Sequence, residues 1–224
     1  MIIGHASDLH GNYKKLETKT LPDLWLLTGD FFDNLGRTDR TGRAIVPAME
    51  ISYQHRWWGL KGDSVMRRLG GKPVILVGGN HDFISLAGCL RRANYPYVRD
   101  VTEGAVDFGG QRVAGYREVP YLIGEWVGEV ERANFRPIID KAMDEDPTIL
   151  VTHAPPDGVL DDDLEGPTGH GPGVDEQVNL LAFRPNRVTH HFFGHIHKQG
   201  GKTQEEMGIT FVNSATCLQL IDVP

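Results

Sequence analysis

The sequence has little cysteine, no long apolar run and no excess of positive charge. Its two cysteines, Cys89 and Cys217, are far apart in apolar surroundings, and no C-x-x-C spacing occurs. This pattern argues against a disulfide framework and against a thiolate zinc site. No apolar stretch approaches the roughly 20 residues that a membrane span requires. The 23 basic and 30 acidic side chains give a net charge of −7, which disfavours a protein that grips long nucleic acids.

The remaining bulk properties are those of an ordinary globular protein. A hydrophobic content of 40% and a length of 224 residues predict one domain that spans residues 1–224. The first apolar run begins at Ile2, which leaves no room for a signal peptide, so we expect a cytoplasmic protein without membrane contact.

Short apolar runs bounded by glycine or proline predict buried strands at residues 2–6, 24–28, 74–77, 148–152, 192–193 and 209–212. Gly109-Gly110 between two alternating runs predicts a hairpin. Helical patterns are predicted within 33–71, from 82 to 90 and from 125 to 146. In the first of these helices the apolar face is predicted to consist of Ile45, Met49, Tyr53, Trp57 and Leu60.

Clusters of histidine, aspartate and asparagine follow five of the predicted strands. They are Asp8-Leu9-His10, Gly29-Asp30, Gly79-Asn80-His81-Asp82, His153 in Thr-His-Ala-Pro-Pro, and Gly194-His195-Ile196-His197. Open α/β folds place their sites at the carboxyl ends of strands, so we expect these side chains to converge. Nitrogen and oxygen donors without a thiolate favour a hydrolytic centre with two metal ions.

In their order along the chain, the five clusters resemble the signature of the calcineurin-like metallophosphoesterase superfamily: D-x-H, G-D, G-N-H-D/E, a lone His and G-H-x-H. The resemblance extends from Asp8 to His197. With it we predict an α/β fold, a four-layer α/β/β/α sandwich of two mixed sheets with a dimetal site at the strand ends.

The resemblance implies seven metal ligands. One ion would be bound by Asp8, His10 and His197, the other by Asn80, His153 and His195, and Asp30 would bridge the two. This mixed shell suits two divalent ions of the Mn²⁺, Fe or Zn type, with Mn²⁺ favoured, better than Mg²⁺ or Ca²⁺. The nucleophile would be a metal-bridged hydroxide.

Other residues beside the clusters are assigned supporting roles. His81 resembles the non-ligand catalytic histidine of the family, which protonates the leaving oxygen or stabilises charge on the phosphoryl group. Asp82 is predicted to orient His81 or to cap the next helix. Asp33 either holds a ligand histidine in its tautomer or caps its own loop. Asn213 is interpreted as a turn residue that bonds its own backbone.

The Gly/Pro-rich segment 155–173 and the segment 33–71 are expected to border the pocket and to set substrate choice. In the first segment, His170 either reaches the substrate or faces solvent. The run Asp161-Asp162-Asp163 is interpreted as a solvated acidic loop, with a third metal site as the less favoured alternative.

Two sequence differences favour phosphodiesters as substrates. Phosphoprotein phosphatases of the superfamily carry G-D-x-V-D-R-G and R-G-N-H-E, whereas this chain has Gly-Asp-Phe-Phe-Asp-Asn and Gly-Gly-Asn-His-Asp. It therefore lacks both basic residues that would bind a phosphomonoester dianion. The run around His153 is similar to the T-H-G-P-P motif of class III cyclic-nucleotide phosphodiesterases and their animal relatives, with Ala154 in place of glycine.

We therefore predict a metal-dependent phosphodiesterase that acts on a small phosphoester substrate. A phosphomonoesterase or a nuclease of the same superfamily remains an alternative. A non-catalytic scaffold is less favoured, because every ligand position is filled and His81 is present. The resemblance is also compatible with a dimer.

Overall fold

The computed structural model describes residues 1–35, 45–122, 124–162 and 186–224. Its strands are, in chain order, β1 (Ile2–Ala6), β2 (Leu24–Thr28), β3 (Val74–Val77), β4 (Val98–Asp100), β5 (Val106–Phe108), β6 (Gln111–Tyr116), β7 (Val119–Pro120), β8 (Glu129–Val130), β9 (Ile149–Thr152), β10 (His190–Phe193), β11 (Lys202–Glu206), β12 (Ile209–Asn213) and β13 (Leu218–Asp222). Its α-helices are α1 (Pro47–Leu69), α2 (Leu86–Arg92) and α3 (Phe135–Met143). Among the described residues, no helix is both long enough and apolar enough to cross a membrane.

Two mixed sheets contain most of the strands. The first has the order β13-β1-β2-β3-β4, in which β1 to β4 are parallel and β13 is antiparallel to β1. The second has the order β11-β12-β10-β9-β6-β5, with four parallel strands inside and an antiparallel strand at each edge. Because parallel strands end at the same edge of a sheet, the turns that follow them lie side by side.

Alternate residues of each strand face two different cores. In β2, Leu26 packs between the two sheets, whereas Leu27 packs with the residues of α1 and α2. In β9, Val151 lies between the sheets, whereas Leu150 packs against α3. The layers are therefore helices, sheet, sheet and helix. The predicted α/β/β/α sandwich of two mixed sheets is confirmed.

All six predicted strands are present, with ends that differ by at most two residues, and the Gly109-Gly110 turn joins β5 to β6. The helix predicted from 125 to 146 is wrong in its first half, where β8 and a 3₁₀ turn precede α3. Gly124 and Gly128 adopt positive φ there, which interrupts helical geometry. The helix predicted from 82 starts only at Leu86, and Ser85 caps it by accepting a hydrogen bond from the Gly88 N–H.

The buried face of α1 differs from the predicted one. Of the predicted apolar positions only Trp57 is fully buried, while Met49 and Leu60 are 57% and 74% exposed. The helix instead buries the polar residues Glu50 and Gln54. These two side chains bond to backbone and amide groups of neighbouring turns. Tertiary hydrogen bonds therefore orient the first half of the helix, whereas Val65 and Leu69 pack its second half against the core.

Two fully buried histidines lie in the strands rather than in the turns. The ring of His5 contacts the hydroxyls of Thr28 (2.9 Å) and Ser214 (2.7 Å) between the sheets. His191 Nε2 lies 2.9 Å from Thr152 Oγ1 on the α3 side of the second sheet. Burial lowers the pKa of both imidazoles to about 3, so both are neutral in the folded protein near pH 7.

We expect His191 to make folding stability depend on pH. The ordinary pKa of the imidazole is 6.5, whereas its pKa in the folded protein is about 3. Between these two pH values the unfolded chain binds more protons than the folded protein, so the free energy of unfolding decreases as pH falls through this window, from 6.5 to about 3. In His191→Gln this titration is absent. The free energy of unfolding of the wild type should therefore fall, relative to the variant, by up to about 1.4 kcal/mol per pH unit.

Urea denaturation of both metal-free proteins at several pH values inside this window measures the difference. Groups other than His191 titrate in both proteins and largely cancel in the comparison. Parallel pH dependences of the two proteins would show that His191 is not buried in its neutral form.

Candidate metal centre

The five predicted clusters occupy tight turns at the ends of β1, β2, β3, β9 and β10. Four of the predicted ligands have positive φ, a backbone conformation that is uncommon outside glycine: Asp8 (51°), His10 (43°), Asp30 (52°) and His195 (66°). Such strained residues persist only where the surrounding structure holds them, and they concentrate at functional sites. The turns thus give up some stability to aim these side chains at a common point.

One group of donor atoms comes from the turns after β1 and β10. Asp8 Oδ1 lies 3.2 Å from His197 Nε2 and 3.8 Å from His10 Nε2. The Nε2 atoms of the two imidazoles lie 3.3 Å apart. Asp8, His10 and His197 therefore offer three converging donors within 4.8 Å of one another.

A second group of donors lies beside the first, with Asp30 between them. Asp30 Oδ2 lies 3.7 Å from His10 Nε2 and 3.4 Å from His153 Nε2. The amide oxygen of Asn80 lies 3.0 Å from the same His153 nitrogen. The ring of His195 is buried 5.0 Å from the ring of His153, centroid to centroid. The structure therefore brings the seven predicted ligands into one region, with Asp30 Oδ2 between the two groups of donors.

The charges at this centre fit bound cations. Asp8 and Asp30 are buried side by side, and within the described residues their ion-pair partners are histidines. Burial alone would raise the pKa of Asp30, but the charges of His153 and His81 outweigh it and hold that pKa below its usual range. Burial opposes charge on His153 too, yet Asp30 raises the pKa of His153 to about 9. Without metal, this histidine holds a proton that a cation would displace.

The backbone around the ligands fixes their orientation. His153 Nδ1 donates to the Thr28 carbonyl at 2.7 Å, which leaves Nε2 facing the other donors. Asp8 Oδ2 accepts from the hydroxyl of Ser7 at 2.6 Å and from the N–H of His195 at 2.7 Å. These contacts are the outer hydrogen bonds that metal ligands require, so the residues fit a pair of divalent ions.

Glycines precede several of the ligands because the turns pack directly against carboxylates. A Cβ atom on Gly79 would lie 2.2 Å from Asp30 Oδ1, and one on Gly194 would lie 2.2 Å from Asp8 Oδ2. Any side chain at either position would push a ligand out of place. The glycines at these two positions are therefore a steric requirement of the centre.

His81 stands at the edge of the donor groups. Its backbone N–H donates to Asp30 Oδ1 at 2.7 Å, and its Nε2 lies 3.9 Å from Asp30 Oδ2. The side chain is 17% exposed, whereas that of His153 is completely buried. A partly exposed imidazole beside the carboxylate of Asp30 is suitably placed to meet a substrate from solvent.

Asp82 contacts backbone groups with both carboxylate oxygens. Oδ1 accepts from the N–H groups of Phe31 (2.8 Å) and Phe32 (3.1 Å), and Oδ2 accepts from Gly79 N–H at 3.0 Å. These bonds tie the turn after β2 to the turn after β3. Asp82 therefore positions the turns that present Asp30 and His81, and the predicted capping of the next helix belongs to Ser85.

Two polar residues that the sequence analysis did not single out bond the backbone carbonyl of His81, and a third, Glu50, bonds one of them. Gln54 Nε2 donates to the His81 carbonyl at 2.7 Å, and Gln54 Oε1 accepts from Phe83 N–H at 2.9 Å. Asn34 Nδ2 donates to the same carbonyl at 3.0 Å and to Glu50 at 3.2 Å. The sequence signal was available, since Glu50 and Gln54 stand one helical turn apart beside Trp57.

Two further residues behind this turn were also missed. Arg117 Nη2 donates to the carbonyls of Gly79 (2.7 Å) and Asp82 (3.2 Å). The indole of Trp126 packs on the imidazole of His81, with ring centroids 3.9 Å apart. Both belong to the β6–β8 region, for which the sequence pattern gave no indication of a contact with the site.

The structure also describes several of the residues that were assigned roles outside the five clusters. Asp33 accepts from its neighbour Asn34 N–H (3.0 Å) and from the Tyr53 hydroxyl (2.8 Å), in agreement with loop capping. Asn213 accepts from Ala215 N–H at 2.9 Å, which confirms the turn interpretation. Asp161 accepts from Gly158 N–H at 2.8 Å. Asp163, His170 and the rest of the segment 163–173 lie outside the described residues.

Comparison with known proteins agrees with this geometry. No curated protein gives a significant match to the chain. A family model described as calcineurin-like phosphoesterase matches residues 1–199, a range that includes all five clusters. The chain therefore belongs to the calcineurin-like phosphoesterases and is a metal-dependent phosphoric ester hydrolase.

Proposed function

We propose that this phosphoesterase hydrolyses small phosphodiesters, with cyclic nucleotides as one candidate substrate. The observation that carries the proposal is the composition of the centre: within the described residues, its carboxylates pair with histidines alone, and the nearby Arg117 is bonded to main-chain carbonyls. A diester is a monoanion and needs less positive charge for binding than a monoester dianion. Among the residues that the structure describes, no guanidinium or ammonium group pairs with these carboxylates, and such a centre suits the diester better.

The residues divide the work of such a reaction. Asp8, His10, His197, Asn80, His153, His195 and Asp30 would hold the two cations, for which we propose Mn²⁺ ahead of Fe or Zn. The chemistry that bound cations supply is polarisation of the phosphoryl oxygens and a lowered pKa of a coordinated water. His81, at the exposed edge, would donate a proton to the oxygen of the leaving alcohol. An alkoxide is a poor leaving group, so a proton donor would assist its departure. Asn34, Gln54 and Asp82 hold the turn that carries His81.

The test compares two chromogenic esters. The protein is stripped of metal, restored with Mn²⁺, and assayed on bis-p-nitrophenyl phosphate and on p-nitrophenyl phosphate. We expect a metal-dependent rate that is higher on the diester, and parallel restoration with Fe and Zn ranks the metals. A higher rate on the monoester would refute the diesterase proposal and identify a phosphomonoesterase. Metal uptake without turnover on either ester would indicate a scaffold.

A further inference from the structure

The imidazole that we place at the leaving group packs against an indole from a distant segment. The ring centroids of His81 and Trp126 lie 3.9 Å apart, with the planes tilted by 43°. His81 also meets the ring of the ligand His10 edge-on, at 5.1 Å and 89°. The imidazole of His81 is thus in contact with one ring of the metal centre and with one ring that is not a ligand.

The segment that carries Trp126 is fastened to the turn that carries His81. Val127 N–H, next to the indole, donates to the carbonyl of Asn80 at 3.0 Å. Two residues further on, β8 pairs with β7, and Arg117, just before β7, donates to the Gly79 carbonyl at 2.7 Å. The indole and the imidazole are therefore held in a fixed relation by bonds on both sides of the contact.

We propose that Trp126 is a positioning residue for His81. The indole acts by packing, because it limits rotation of the imidazole about its side-chain bonds. His81 Nε2 then faces the space in front of Asp30, where a leaving oxygen would lie. Correct placement of a proton donor is a large part of its catalytic effect, and a shift of about 1 Å can cost about 10²-fold in rate. This inference rests on the proposed acid role of His81, and extends it to a residue outside the five clusters.

The central experiment is a double-mutant cycle with Trp126→Ala and His81→Ala. In an otherwise unchanged protein, Trp126→Ala should lower kcat by about 10- to 10²-fold with KM nearly unchanged. In the His81→Ala background the same replacement should have almost no further effect, because the ring it positions is gone. Trp126→Phe should retain most of the activity, since a phenyl ring can still pack on the imidazole.

Leaving groups provide a second readout that a merely structural role would not change. A proton donor matters more for phenolate than for p-nitrophenolate, which departs readily without a proton. The loss in Trp126→Ala should therefore be larger on phenyl than on p-nitrophenyl diesters.

In the metal-free protein, NMR signals of the His81 ring protons should shift when the indole is removed. Tyr121→Ala is the matched control, because it removes an aromatic ring, 51% exposed, from the same β7–β8 region, and it should leave kcat nearly unchanged.

Three results would overturn the inference: additive losses in the cycle, equal losses on both leaving groups, or a raised KM with unchanged kcat, which would make Trp126 a substrate contact. Failure of the diesterase proposal is a separate result. If the wild type prefers monoesters, the cycle is run on phenyl and p-nitrophenyl monoesters, and the coupling of Trp126 to His81 is tested there.

Discussion

Replacement of Asp30 by alanine is expected to abolish the paired metal site and the phosphoesterase activity together. Asp30 Oδ2 is within 3.9 Å of the Nε2 atoms of His10, His81 and His153, so this one oxygen lies between the two donor groups. Its removal leaves each group one anionic ligand short, and the buried histidines then lose the charge that favours a cation beside them. We expect fewer than two metal ions per chain and no measurable turnover.

Asp30→Asn separates this effect from damage to the fold. The asparagine oxygen can still accept the hydrogen bond that His81 N–H donates to Asp30 Oδ1, so the turn should keep its shape while the bridging charge is lost. Elemental analysis gives metal per chain, and thermal unfolding checks the fold. Asp107→Ala, which removes an exposed partner of Arg112, is the control for loss of an aspartate. Full activity of Asp30→Asn with two ions bound would show that Asp30 is not a bridging ligand.

Replacement of His81 by alanine is expected to lower kcat by about 10²- to 10⁴-fold while metal content stays at two ions per chain. The side chain lies at the exposed edge of the centre, 3.9 Å from Asp30 Oδ2, and His81 is not among the seven proposed ligands. The loss should be greatest for esters with poor leaving groups, since these depend most on a proton donor.

The measurement is steady-state kinetics with metal analysis of the same samples. His55→Ala removes an exposed histidine on α1 and controls for the loss of a histidine as such. A loss of metal in His81→Ala as large as in Asp30→Ala would contradict the division between ligands and proton donor. It would instead make His81 a ligand, an arrangement for which His10, Asp30 and His81 also have donor atoms close enough together.

The strands and the donor clusters at their ends could be predicted from the sequence because both are local. A buried strand such as β3 is marked by its own four apolar residues, and each ligand follows such a strand within a few positions. Glycines such as Gly79 mark the turns, because only a residue without Cβ fits against Asp30. Strands with mixed composition were less visible. The edge strand β11 is polar and largely exposed, and in β13 Gln219 interrupts the apolar residues, so neither contains a continuous apolar run.

The surroundings of His81 could not be predicted in the same way, because they consist of contacts between segments far apart in sequence. Gln54 reaches this turn from α1, whereas Arg117 and Trp126 reach it from the β6–β8 region. Gln54 and Arg117 bind main-chain carbonyls, which every residue possesses and no sequence pattern marks. For the same reason the buried face of α1 was assigned wrongly.

By itself, then, the sequence determined the buried strands and the five donor clusters that follow them, since strand patterns and ligand side chains are properties of short segments. The α/β/β/α sandwich followed from the family resemblance that these clusters carry. Only the tertiary structure decided how His81 is held. Asp82 positions backbone turns, Gln54 binds the carbonyl of His81, and Trp126 covers its ring. These roles depend on distance and direction between packed elements, which are fixed only when the layers of the fold come together.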